Sequence, residues 1–127
     1  MSLARTAATI LGVAYVLLGV IGFLPDPLVQ ASAAPGASGA LVGIFPINTA
    51  LNVVHLAIGG SLLYASMATA SAIIAARIIG VVCAVLAVLG VASAGAFGPL
   101  PLGGAEIVLH LATGALLLAI GVTNSAE

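Results

Sequence analysis

The chain has 127 residues, of which 63% are hydrophobic and 4% charged, where a soluble globular domain typically carries about 25% charged residues. That composition excludes a soluble globular protein and sets the chain in the integral-membrane class. A net charge of −1 is too small to argue for a nucleic-acid partner or for long-range steering of charged ligands.

Taken in order, the first apolar segment covers residues 6–23. Arg5, the run Ile10 to Leu24 and then Ala31-Ser-Ala33 have the form of a secretory signal with its cleavage site. The run lies at the upper end of a signal core in length and reads as a transmembrane helix, broken by Pro25-Asp-Pro27. Residues 24–46 form the only long connection. Its Ala, Ser, Gly and Pro residues predict a flexible loop, and its apolar end, Leu41-Val-Gly-Ile-Phe45, touches the bilayer surface or caps the bundle. Segment two covers residues 47–67 and segment three 72–93, with a tight turn at 68–71. Residues 95–104, with Pro99 and Pro101, break the chain before segment four at 105–122 and a polar tail at 123–127. Each segment approaches the roughly 20 apolar residues that a helix needs to cross a hydrocarbon core.

Four spans put both termini on one side. Arg5 and Arg77 fall on that side and Asp26 and Glu106 on the other, so the Lys/Arg bias places the termini in the cytoplasm. Phe23, Phe45 and Phe97 then line the outer interface. The single cysteine, Cys83, sits in an apolar run without a disulfide partner and reads as a buried core residue.

The chain also repeats. His110 laid on His55 (110 − 55 = 55) aligns Gly43 with Gly98, Pro46 with Pro101, Gly59 with Gly114 and Leu62-Leu63 with Leu117-Leu118. A different shift, Gly12 onto Gly80 (80 − 12 = 68), also aligns Gly22 with Gly90; the longer first loop absorbs the difference. The pattern predicts two tandem hairpins in the same orientation, related by a pseudo-two-fold along the membrane normal.

The two histidines of the chain are the candidate functional residues. Asn48, Asn52 and His55 are spaced i, i+4, i+7 on one helical stripe, and Glu106 and His110 i, i+4 on another. Seven residues of helix cover about 10 Å, so both histidines lie in the outer half of the bilayer. An ionisable group there costs about 2–3 kcal/mol or more when it faces lipid, so both must face the bundle or a partner. One reading makes them packing glue, each imidazole bonded to a carbonyl, Asn52 or Glu106, with Gly59 and Gly114 admitting neighbouring backbones. Another makes His55 and His110 axial ligands of haem or chlorophyll, with the glycines leaving room for a flat ring. A third takes Glu106 and His110 as a proton-active or cation-binding pair. No spacing matches a known metal site, so no metal ligand is assigned. Nucleophile-elbow, phosphate-loop and dinucleotide motifs are absent, and no enzymatic chemistry is expected.

The run Gly12-Val-Ala-Tyr-Val-Leu-Leu-Gly-Val-Ile-Gly-Phe23, the approach Gly43-Ile-Phe-Pro-Ile-Asn48, and the motifs Asn52-Val-Val-His-Leu56 and Leu109-His-Leu111 resemble a bacterial four-span family. It is catalogued as domain of unknown function four-three-eight-three. The resemblance implies the topology and carries no activity. Gly103 stands where the first repeat has Asn48, so the second half is not a copy of the first.

The expectation is therefore an all-α integral membrane four-helix bundle. It is one domain over residues 1–127, with hairpin repeats at about 5–67 and 72–122. The expected role is that of a non-enzymatic accessory or structural subunit of a larger membrane complex, respiratory or photosynthetic in type. It sits in a bacterial inner membrane, cell or intracytoplasmic, against lipid and without nucleic acid; a homo-oligomer stays open. Haem or chlorophyll binding through His55 and His110 is the alternative, and proton or small-solute transport the second.

Overall fold

Polar side chains at the ends of the apolar runs fix where each helix begins. In the computed structural model, which describes residues 1–126, Ser2 accepts from the backbone N–H of Arg5 at 3.3 Å and starts α1, Leu3–Ile21. Asn48 accepts from Leu51 N–H at 2.9 Å and starts α2, Thr49–Ala65. Each satisfies one of the donors that a helix N-terminus leaves open. Helix α3, Thr69–Ala92, follows a short turn, and α4, Ala105–Thr123, begins at Gly104, whose φ of 58° suits glycine.

Between α1 and α2 lie three strands, β1 (Val29–Gln30), β2 (Gly39–Leu41) and β3 (Phe45–Ile47), paired antiparallel in that order. Val29 faces Leu41, and Ala40 faces Pro46. Between α3 and α4, β4 (Ala96–Phe97) and β5 (Leu100–Pro101) form a hairpin around Gly98, at φ 54°. The expected flexible loop over 24–46 is corrected in that it carries a small three-stranded sheet; of the two expectations for its apolar end, capping the bundle is the one observed. Leu41 and Ile47 drop into the main core, while Val42 and Ile44 stay exposed at the tip. Four helices carry most of the chain, as expected, and five short strands among the described residues close one end. Segment two also starts later than expected, because Ile47 belongs to β3 and Asn48 to the cap. The turn before α3 is shorter than 68–71, the helix running from Thr69.

Three helices, α1, α3 and α4, are long and apolar enough to cross a membrane. At 1.5 Å per residue α3 spans about 36 Å and the 17-residue α2 about 26 Å. Their buried stripes are made of small residues. Helix α1 buries Ala4, Ala8, Gly12, Tyr15 and Gly19, at helical spacing, and α3 buries Ala72, Ala76, Gly80, Cys83, Ala87 and Gly90 among others. The opposite faces carry exposed Ile10, Leu17, Ile78, Val85, Val88, Val108 and Leu111, the inverse of a soluble bundle.

Helix α1 packs most closely on α2, and α3 on α4. The two pairs use matching contacts. A Cβ on Gly59 would lie 2.7 Å from the Gly12 carbonyl oxygen and 2.6 Å from Val16 N; one on Gly114 would lie 3.0 Å from the Gly80 oxygen and 2.9 Å from Ala84 N. Both pairs are therefore joined backbone against backbone, as small residues permit in membranes. At the far end from the strands, Arg5 Nε donates to Ser66 O at 2.7 Å and Arg77 Nε to Gly121 O at 2.6 Å. Each guanidinium satisfies a terminal helix carbonyl and meets the negative end of the dipole. The expected polar tail reaches Ala126 within the described residues; Glu127 lies outside them.

Candidate functional site

The polar residues of the helices converge where the α1–α2 pair meets the α3–α4 pair. His55 sits on the buried stripe of α2, and Glu106 and His110 on that of α4, one turn apart. All three side chains have 0% relative exposure. His55 Nε2 is hydrogen-bonded to Glu106 Oε2 at 3.2 Å, across the two helix pairs. His110 Nε2 lies 3.5 Å from the same oxygen, within ion-pair range but without hydrogen-bond alignment. Glu106 stands in the first turn of α4, where the positive end of the helix dipole favours a carboxylate.

Tyr15, from α1, completes the wall. Its ring meets His55 edge-on at a centroid distance of 5.6 Å and lies over His110 at 6.3 Å. Its hydroxyl donates to Thr113 Oγ1 at 3.0 Å and lies 3.9 Å from Cys83 Sγ. Tyr15 thus ties all four helices to the cluster while spending its own proton on Thr113.

Two predicted site residues behave differently. Asn48 is drawn out of the stripe: besides capping α2, its Nδ2 donates to Gly36 O at 3.2 Å and to Pro99 O, tying both β hairpins to the helix. Asn52 remains on the stripe and buried, but it faces α1 rather than His55. A Cβ on Gly22 would fall 2.1 Å from its Oδ1, which has no hydrogen-bond partner among the described residues. The same holds for His55 Nδ1, Glu106 Oε1 and both ring nitrogens of His110. Buried polar atoms without partners are rare, each costing about 1–3 kcal/mol, so their concentration here marks the cluster out.

Tyr15, Thr113 and Cys83 were not among the expected site residues. One signal pointed to two of them: the 68-position shift that aligns Gly12 with Gly80 also aligns Tyr15 with Cys83 (83 − 15 = 68). No local spacing suggested a metal site, because the three candidate donors come from two helices. Folded, His55, Glu106 and His110 each bring one ligand atom within 4.8 Å of the others.

A tetrapyrrole does not fit these residues. The imidazoles are 5.9 Å apart between ring centroids, share one carboxylate oxygen and sit in the same sealed cluster. The room that Gly59 and Gly114 were expected to leave for a flat ring is filled by the backbones of α1 and α3.

Fold and site together define a membrane-type four-helix protein built around a buried His–Glu–His cluster. Residues 5–123 match the family model described as Domain of unknown function (DUF4383), and the chain belongs to that family. No curated protein and no solved structure matches it.

Proposed function

We propose that the protein is a non-enzymatic, membrane-embedded accessory subunit that packs against a larger membrane assembly of the respiratory or photosynthetic kind. We place it in a bacterial inner membrane with both termini cytoplasmic, following the positions of Arg5 and Arg77 at one end. The observation that carries this reading is a groove of about 530 Å³ on the outer surface between α1 and α4. It is lined by Leu11, Phe45, Val108, Leu109, Ala112 and Leu116. Such a groove, on an apolar helical surface, suits the ridge of another transmembrane helix. The cluster itself is sealed from the surface, which favours a structural over an enzymatic role. We read the chain as a tandem duplication of a two-helix hairpin, supported by the matched contacts of Gly12 with Gly59 and Gly80 with Gly114.

The test is gentle extraction from native membranes, with and without Ala112→Trp, which fills the groove. A partner co-eluting in fixed ratio with the wild type, and lost with the variant at unchanged helical content, supports the reading. Elution of the wild type as a lone chain or as a homo-oligomer overturns it. Transport has less support, since the buried stripe of α4 continues beyond Thr113 as Gly114, Leu117, Ile120 and Gly121, with no polar relay.

A further inference from the structure

We propose that His55, Glu106 and His110 form a binding site for one divalent transition-metal ion of the zinc type, with a fourth position left to an exogenous ligand. The inference stands independently of the accessory-subunit reading.

The geometry comes first. Tetrahedral zinc bound at about 2.0–2.1 Å to nitrogen and oxygen sets its ligand atoms about 3.3 Å apart. Glu106 Oε2 is already 3.2 Å from His55 Nε2 and 3.5 Å from His110 Nε2, so two of the three edges are in place. Taken together, the three residues each offer one ligand atom within 4.8 Å of the others.

Unpartnered atoms point the same way. His110 has neither nitrogen hydrogen-bonded and Glu106 Oε1 has no partner among the described residues, although both side chains are fully buried. A hydrogen-bonded clasp explains His55 and one carboxylate oxygen; it leaves His110 without a role. A cation gives His110 Nε2 a lone-pair acceptor and holds both histidines on one carboxylate.

The donor set selects a divalent transition metal over the hard alkaline-earth ions. Two imidazoles and one carboxylate are a three-ligand zinc set with an open position. Calcium requires six to eight oxygens and magnesium an octahedral oxygen shell, neither of which this cluster supplies. Cys83, whose Sγ lies 3.9 Å from the Tyr15 hydroxyl, is not among the three donors that converge. Among the described residues, neither histidine Nδ1 has the outer hydrogen bond that usually orients a metal-bound imidazole. Tyr15 takes that positioning role through ring contact with both imidazoles.

The chain holds only two histidines, both in this cluster, so any imidazole–metal signal reports this site alone. The experiment uses the full chain, purified in detergent without a histidine tag, stripped with chelator and titrated with Co2+. The expected result is one Co2+ per chain with the intense visible bands of a tetrahedral complex, displaced by Zn2+. Glu106→Gln and His110→Gln should lose those bands. If either variant fails to fold, the wild type alone decides: Zn2+ should raise its melting temperature and chelator reverse the shift, since a ligand bound only by the native state stabilises it. Absence of tetrahedral bands and of a Zn2+-dependent shift in the wild type overturns the proposal. So does equal Co2+ binding by folded Glu106→Gln and His110→Gln.

Discussion

Val42 occupies a backbone conformation that its side chain resists. In the β2–β3 turn it has φ 48°, followed by Gly43 at φ 74°, with Ile44 N–H bonded to Leu41 O at 3.0 Å. Two successive positive φ values make the tight turn that matches hairpin twist, and a β-branched residue is poorly suited to the first position. Val42 is exposed, so replacing it costs little burial. Val42→Asn should stabilise the protein by about 0.5–1 kcal/mol, read as a higher midpoint in thermal unfolding in detergent. The Tyr15–Thr113 bond allows a second check. Thr113→Val leaves the Tyr15 hydroxyl without its acceptor in a buried site and should cost about 1–3 kcal/mol, whereas Thr113→Ser should retain most of the stability. At this scale the sequence revealed the residues with the greatest chemical contrast. Two histidines and a glutamate in apolar helices stand out on desolvation cost alone. The roles of Asn48 and Tyr15 did not stand out: a polar residue near a helix start serves equally as cap or stripe, and a tyrosine in a Gly-rich helix resembles core filling.

Between elements, contact is made through glycine. Gly59 and Gly60 are neighbours with opposite surroundings: a Cβ on Gly59 would enter the α1 backbone, while one on Gly60 meets nothing within 4 Å. Gly60→Ala should therefore stabilise α2 by about 0.5–1 kcal/mol through helix propensity. Gly59→Ala should destabilise the α1–α2 contact and lower the unfolding midpoint. An equal effect of the two substitutions would show that helix propensity, and not close packing, governs this stretch. The helices were legible because apolar runs near the length of a bilayer leave few alternatives, and punctuation by Pro and Gly placed most ends within three residues. The strands were not. At two or three residues each, they are too short for alternation to register. The Ala, Ser, Gly and Pro run at 31–38 between β1 and β2 reads as a loop, and only antiparallel pairing and the core-facing Leu41 and Ile47 organise the segment around it.

For the molecule as a whole, the ends of the bundle differ. The strands and both β hairpins close one end, while Arg5, Arg77 and the described part of the C-terminal tail lie at the other. In a Cys83→Ala background, Ala37→Cys and Ala126→Cys should label from opposite sides of sealed vesicles with a membrane-impermeant maleimide. Labelling of both from the same side would show that α2, about 26 Å long, does not cross. Which end faces the cytoplasm rests on two arginines, and the same experiment on right-side-out vesicles assigns it.

The His–Glu–His cluster is not centred between those ends. Glu106 is the second residue of α4 and His55 the seventh of α2, so the cluster lies about 10 Å or less beneath the strand-capped end by helix rise. Beyond Thr113 the buried stripe of α4 is apolar toward the arginine end, with Gly114, Leu117, Ile120 and Gly121. A transmembrane voltage acts on a charge in proportion to the share of the field it crosses, up to about 2.3 kcal/mol per 100 mV for the whole membrane. A charge reaching Glu106 from the strand-capped side crosses only a small share of that field. Its occupancy would follow concentrations in the compartment on that side and stay nearly indifferent to the energisation of the membrane.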